Sequence, residues 1–241
     1  MPRFFVQSKY IFDEALTIPA PDASHIGRSL RMRLGDEVTV CCQGIEYLCK
    51  IRTISDEAVQ CDIISHEKSL NEPNVDLTLF QAVPKGDKLD TIVQKAVELG
   101  VRRICPVLTS RCVSRPDKKS FDKKLERLNR IALEAAKQSG RGIVPTVEGL
   151  LTVPEAAGAL ALNDFPLICY EGGGINLSQA GLKTDSTIGV FIGSEGGFDP
   201  SEVELCREKG AQIIGLGRRI LRCETAPLAA LSIIMNLTGN I

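Results

Sequence analysis

Over residues 1–70 the apolar positions come in short runs, RFFVQ, EVTVCC, IEYLCKIRTI and AVQCDIIS, each rich in β-branched or aromatic residues. Turn residues separate them at Gly35-Asp36, Gln43-Gly44 and Asp56-Glu57. Short runs bounded in this way predict β-strands. Several of them in so little chain predict a small barrel. One helix, about Asp22 to Met32, interrupts the strands. SLNEPNVD, Ser69 to Asp76, reads as a linker.

Beyond the linker the pattern changes to alternation. VDLTLFQAV predicts a strand. DKLDTIVQKAVELG predicts a helix with Leu89, Ile92, Val93 and Ala96 on one face and Gly100 as its stop. VRRICPVL is a strand, and SFDKKLERLNRIALEAAKQSG a helix with Leu125, Leu128, Ala132 and Ala135 on one stripe. FPLICY and STIGVFIG are strands. DPSEVELCREKG is a helix with Asp199 as cap, Pro200 in the first turn and Glu202 completing a capping box. AQIIGLG is a strand, and an apolar C-terminal helix follows, with Thr225 placed to cap it. Continuous apolar strands alternating with helices predict an α/β unit over 75–241, a mostly parallel sheet covered on both faces.

At 44% hydrophobic and 24% charged residues, the composition is that of a soluble globular protein. The nine cysteines include no C-x-x-C pair, and only His25 and His66 accompany them, which argues against a zinc site and leaves no metal to expect. Their odd number and apolar surroundings predict free thiols packed in a reducing cytoplasm. MPRFFVQSKYIF lacks a signal-peptide core, and the run from Ala226 to Leu237 is too short to span a bilayer. These features predict a cytoplasmic protein without membrane contact.

In open α/β sheets ligands bind outside the carboxyl ends of the strands. Two loops stand out there. IGSEGGFDP, Ile192 to Pro200, combines glycines that permit close backbone approach with one charge, Glu195. GLGRRILRCETAPLAAL, Gly215 to Leu231, places Arg222 and Glu224 between two apolar runs, where burial without partners would be costly. The sequence lacks G-x-x-x-x-G-K-[ST], and GLGRRI fails the dinucleotide fingerprint at its third glycine, which disfavours P-loop and Rossmann enzymes.

The net charge of −1 hides a local excess. Residues 102–141 hold twelve Lys/Arg, Lys118 among them, against four Asp/Glu. RSLRMR, Arg28 to Arg33, adds a second basic cluster. Both suit a phosphate backbone.

QAVPKGDKLDTIVQKAVELGVRRICPVLTSR, RIALEAAKQSGR, IGSEGGFDPSEV and LGRRILRCETAPLAAL together resemble the 16S ribosomal RNA (uracil-N3)-methyltransferases of the SPOUT superfamily. IGRSLRMRLGDEVTV resembles their N-terminal PUA-like RNA-binding domain. Ser194, Cys223 and Pro227 depart from the residues commonest in that family. The resemblance implies a PUA-like β-barrel over 1–70 and a SPOUT domain over 75–241 with a trefoil knot at about 192–230. It implies S-adenosylmethionine (SAM) as cofactor, a homodimer with a shared active site, and 16S rRNA of the small ribosomal subunit as partner.

Residue by residue, it implies cofactor contacts from Gly193, Glu195, Gly196 and Gly197 in the first loop. Leu216, Gly217, Ile220, Leu221, Thr225 and Ala226 supply them from the second, which is expected to lie buried. Arg222, Glu224 and Glu195 are the candidate catalytic residues. Arg3, Arg28, Arg31, Arg33, Arg111, Arg115 and Arg141 are the candidate RNA contacts. A knotted ribose 2′-O-methyltransferase acting on rRNA or tRNA, or a non-catalytic RNA-binding assembly factor, are the alternative readings.

Overall fold

The computed structural model describes residues 1–241, except for the side chain of Lys118, whose part in the basic run therefore lies outside the described residues. The chain divides into two compact units, 1–72 with 136–144, and 73–135 with 145–241.

The first unit is a five-stranded sheet. Its strands are β1 (Arg3–Phe5), β2 (Ala15–Pro19), β3 (Glu37–Cys42), β4 (Ile45–Ile54) and β5 (Ala58–Lys68), in the order β1-β3-β4-β5-β2. The β3–β4 hairpin turns on Gln43 and Gly44, both at positive φ (49° and 83°), the combination a tight two-residue turn requires. Alternate residues of the strands, among them Leu16, Ile18, Val38, Val40 and Val59, point into one core with Phe4 and Ile26. Strand β2 is absent from the sequence reading, because its apolar alternation is only five residues long and ends on Pro19. The helix expected over Asp22–Met32 is shorter than its apolar pattern. α1 (Asp22–Ser24) continues as a π-helical turn, His25–Ser29, and Arg31 at φ 52° then breaks the helical path.

The segment 136–144 is remote in sequence but packs as part of this unit. Arg141 is buried at 3% exposure, and its guanidinium donates to Glu72 through Nε (2.9 Å) and Nη2 (2.7 Å). Glu72 also accepts the backbone N–H groups of Gly142 (2.8 Å) and Ile143 (3.1 Å). Gly142 has to be glycine, since a Cβ there would lie 2.4 Å from that of Ser69. Arg3 joins this network through Glu46 (2.8 Å) and the Arg141 carbonyl (3.2 Å).

The second unit is a parallel seven-stranded sheet. Its elements are β6 (Asp76–Ala82), α2 (Lys88–Glu98), β7 (Arg103–Leu108), α3 (Lys118–Ser139), β8 (Thr146–Val147), β9 (Leu151–Thr152), α4 (Val153–Leu160), β10 (Phe165–Cys169), β11 (Thr187–Ile192), α5 (Pro200–Glu208), β12 (Gln212–Ile214) and α6 (Thr225–Leu237). The strand order is β12-β10-β11-β6-β7-β8, with β9 also beside β7. Gly100 closes α2 at φ 91°, and Asp199 caps α5 within a capping box, both as the sequence predicts. α4 escaped the sequence reading although Thr152 and Glu155 form a capping box ahead of it. Thr225 does not cap α6. It is the first helical residue, with Glu224 at the cap position.

Removing Glu72 would take two hydrogen bonds and a carboxylate from a buried guanidinium. Glu72→Ala is expected to cost about 3–5 kcal/mol, read as a lower urea midpoint. An unchanged midpoint would show that the pair contributes nothing.

Candidate functional site

β6 and β11 lie side by side at the centre of the parallel sheet and are buried along nearly their whole length. The charged groups therefore collect in the loops at their carboxyl ends. A cavity of about 260 Å³ lies there, lined by the loops that follow β10, β11 and β12.

The loop after β11 is strung between two fixed points. Phe198 is buried edge-on against Phe191 (4.7 Å between centroids), and Asp199 caps α5. Between them the backbone turns tightly, with Gly197 N–H donating to the Ser194 carbonyl (3.0 Å). Gly197 has φ 66°, and a Cβ there would sit 2.1 Å from a carboxylate oxygen of Glu171. Gln81, fully buried on β6, donates to the Gly193 carbonyl (3.3 Å). Arg111 donates to the Gly196 carbonyl (3.2 Å) and pairs with Asp199 (3.6 Å).

The loop after β12 departs from expectation. Arg218, Arg219, Ile220 and Arg222 are exposed, Ile220 at 87%, so its charges are not buried within the chain. Its backbone is ordered at the far end, where the Arg222 carbonyl accepts from the N–H groups of Thr225 and Ala226 at 2.9 Å.

At the edge of the cavity four groups meet from three segments. The Lys88 ammonium at the start of α2 lies 2.8 Å from Glu195 and 3.5 Å from Glu224. Glu195 also accepts the Lys85 N–H (3.1 Å), and the Cys223 thiol donates to Glu224 (3.2 Å). Burial would raise the Glu195 carboxyl, but Lys88 and the backbone amides outweigh it and hold it below its usual range. The Cys223 thiol, then the backbone N–H of Glu224 and, after these, Lys88 keep Glu224 low as well. Burial, with Glu224 beside it, pushes Cys223 up to about 12, so it remains a thiol.

Of the residues named from sequence, Gly193, Glu195, Gly196 and Gly197 line the cavity from the first loop. Leu216, Gly217, Ile220, Leu221 and Ala226 line it from the second. Thr225, Arg222 and Glu224 lie outside the lining. Glu171, Tyr170 and Lys88 were missed. Lys88 and the YEGG stretch carry no motif of their own, and only the strand order brings them here. Among the arginines, Arg31 and Arg33 are exposed, and Arg28 pairs at the surface with Asp56. Arg111 and Arg115 brace loops, Arg115 through the Thr109 (3.0 Å) and Ser110 (3.2 Å) carbonyls. Arg3 and Arg141 are tied into the Glu46–Glu72 network of the first unit.

A family model described as an RNA methyltransferase domain matches residues 71–235, and one described as an RNA methyltransferase PUA domain matches 18–64. The chain is 36% identical to ribosomal RNA small subunit methyltransferase E of Bacillus subtilis, over 97% of this chain and 96% of that protein. It is 34% identical to the Aquifex aeolicus protein of the same name, over 87% and 89%. The crystal structure of the Neisseria gonorrhoeae protein of that name, bound to S-adenosyl methionine, superposes with a TM-score of 0.84 at 31% identity, over 99% of this chain and 98% of that one. With a family model over most of its length and full-length relatives above 30% identity, the chain belongs to the ribosomal RNA small subunit methyltransferase E family of SPOUT RNA methyltransferases.

Proposed function

We propose that the protein is a SAM-dependent methyltransferase that modifies N3 of a uridine in 16S rRNA of the small ribosomal subunit. The observation that carries this reading is the cavity at the strand ends, walled by the backbone of two loops and bordered by carboxylates. That cavity fits SAM. Leu216, Ile220 and Leu221 offer apolar surface for an adenine, and the glycine loop offers bare N–H and C=O groups. Glu171 suits a ligand that carries positive charge. On this reading the loops over 192–230 are those of the trefoil knot.

When bound, SAM supplies a methyl group made electrophilic by its sulfonium. The chain's own part is to orient the base and manage charge. Arg222 stabilises charge developing on O2 or O4, and Glu224 or Glu195 accepts the N3 proton. N3 lies on the Watson–Crick edge, so the target base has to be unpaired or flipped out. Arg28, Arg31, Arg33, Arg111 and Arg115 hold the flanking RNA. α6 exposes Ile233 and Leu237, four residues apart on one face, which supports a homodimer through that helix. Nine unpaired cysteines fit work in the reducing cytoplasm.

Incubation with small subunits lacking the modification and labelled SAM is expected to place label in 3-methyluridine by nucleoside mass spectrometry. Label in a 2′-O-methyl nucleoside would overturn the reaction while keeping the cofactor. Gly197→Ala puts a side chain where φ is positive and Glu171 already lies. Calorimetry is expected to give a rise of about tenfold or more in the Kd for SAM. Reversing Arg31 and Arg33 to Glu is expected to weaken RNA binding, and to reduce its salt dependence, with the Kd for SAM preserved. A parallel loss of cofactor affinity would refute this division of labour.

A further inference from the structure

We propose that Lys88 is a positioning residue of the transfer site: by bridging two carboxylates it makes Glu195 the latch of the cofactor cavity and leaves Glu224 as the acceptor of the N3 proton. This rests on the methyl-transfer reading above and assigns roles which that reading leaves open.

The placement of Lys88 is itself unusual. It is the first residue of α2, where the helix dipole disfavours a cation. Local rules broken in this way are found where another demand outweighs them. Here the demand is visible. The side chain bridges to carboxylates 107 and 136 positions along the chain, on two different loops around the cavity.

The two carboxylates are not held alike. Glu195 accepts from Lys88 at 2.8 Å and from the Lys85 N–H at 3.1 and 3.4 Å, so both of its oxygens are engaged. These bonds tie the loop after β11 to the turn that follows β6. A carboxylate so committed shapes the cavity wall and has little left to offer a moving proton. Glu224 is held more loosely, by Lys88 at 3.5 Å and by the Cys223 thiol at 3.2 Å. It lies just outside the cavity lining, two residues after the exposed Arg222, where a base approaching from solvent would meet it.

The charge count supports the same division. Lys88, Glu195, Glu224 and Cys223 are the groups that act on one another here, with Lys85 contributing its backbone N–H. With Cys223 neutral, one cation faces two carboxylates. Lys88 neutralises the latch, and the remaining negative charge can take a proton. As the N3–C bond forms, the C–S bond breaks with its electron pair left on sulfur. The N3–H bond breaks in the same process, and its proton passes to Glu224. N3–H becomes more acidic as the new bond forms, so an ionised carboxylate suffices.

Lys88→Gln, Lys88→Arg, Glu195→Gln and Glu224→Gln test this against a wild type first shown to methylate. An inactive wild type would sink the methyl-transfer reading itself. Lys88 holds the Glu224 carboxyl down, so its removal raises that midpoint, and a base that must be ionised loses activity first at acid pH. In cofactor-free protein, carboxyl NMR titration is expected to show the Glu224 midpoint higher in Lys88→Gln and returned in Lys88→Arg. With cofactor and subunits, the acid limb of the kcat profile is expected to move to higher pH in Lys88→Gln and to return in Lys88→Arg. Glu195→Gln is expected to raise the Kd for SAM more than it lowers kcat, and Glu224→Gln to do the reverse. An unmoved midpoint and an unmoved acid limb in Lys88→Gln would overturn the proposal. So would Glu195→Gln lowering kcat with SAM affinity kept.

Discussion

The parallel pairing of β6 with β11, unbroken from Asp76–Thr187 to Gln81–Ile192, sets the conditions for the rest of the catalytic unit. Both strands are buried along nearly their whole length, which leaves little room for charged side chains along them. The chain therefore places its glycines and charges where these strands end. Phe80, Phe191 and Phe198 pack tilted and edge-on behind the site and fix the far end of the glycine loop. Gln81, buried on β6, donates its amide to the Gly193 and Ala82 carbonyls. The site is rigid where backbone has to meet a ligand and open where a large substrate has to arrive.

The charges follow the same logic. The loop after β12 looks buried in sequence because apolar runs flank it, yet Arg218, Arg219 and Arg222 face solvent. A basic surface next to a cavity bordered by Glu171, Glu195 and Glu224 gives two regions of opposite sign side by side. The first suits phosphates and the second a cationic cofactor. The overall charge of −1 conceals both.

The basic residues also divide by role in a way that composition does not reveal. Arg141 and Arg3 belong to the interior of the first unit, where Glu72 and Glu46 neutralise them and the 136–144 segment is anchored. Arg111 braces the glycine loop. Arg31 and Arg33 stand free of the core, on the stretch that follows the π-helical turn.

Element types and the parallel sheet were legible in the sequence, because apolar periodicity, capping boxes and stop glycines are local signals. Asp199 with Glu202, and Gly100 after α2, behave as their neighbours dictate. The two cavity loops were legible for the same reason, since glycine beside charge at the end of an apolar strand has few other uses. Short elements such as β2 carry too few periods to register, and α4 was passed over although Thr152 and Glu155 signalled its start. What the tertiary structure alone decided were the long-range pairings. Lys88 meets Glu195 and Glu224 only because β6 lies beside β11, and Arg141 is an internal cation only because residues 136–144 return to the first unit. A charge has no periodicity, so its partner is known only once the chain has folded.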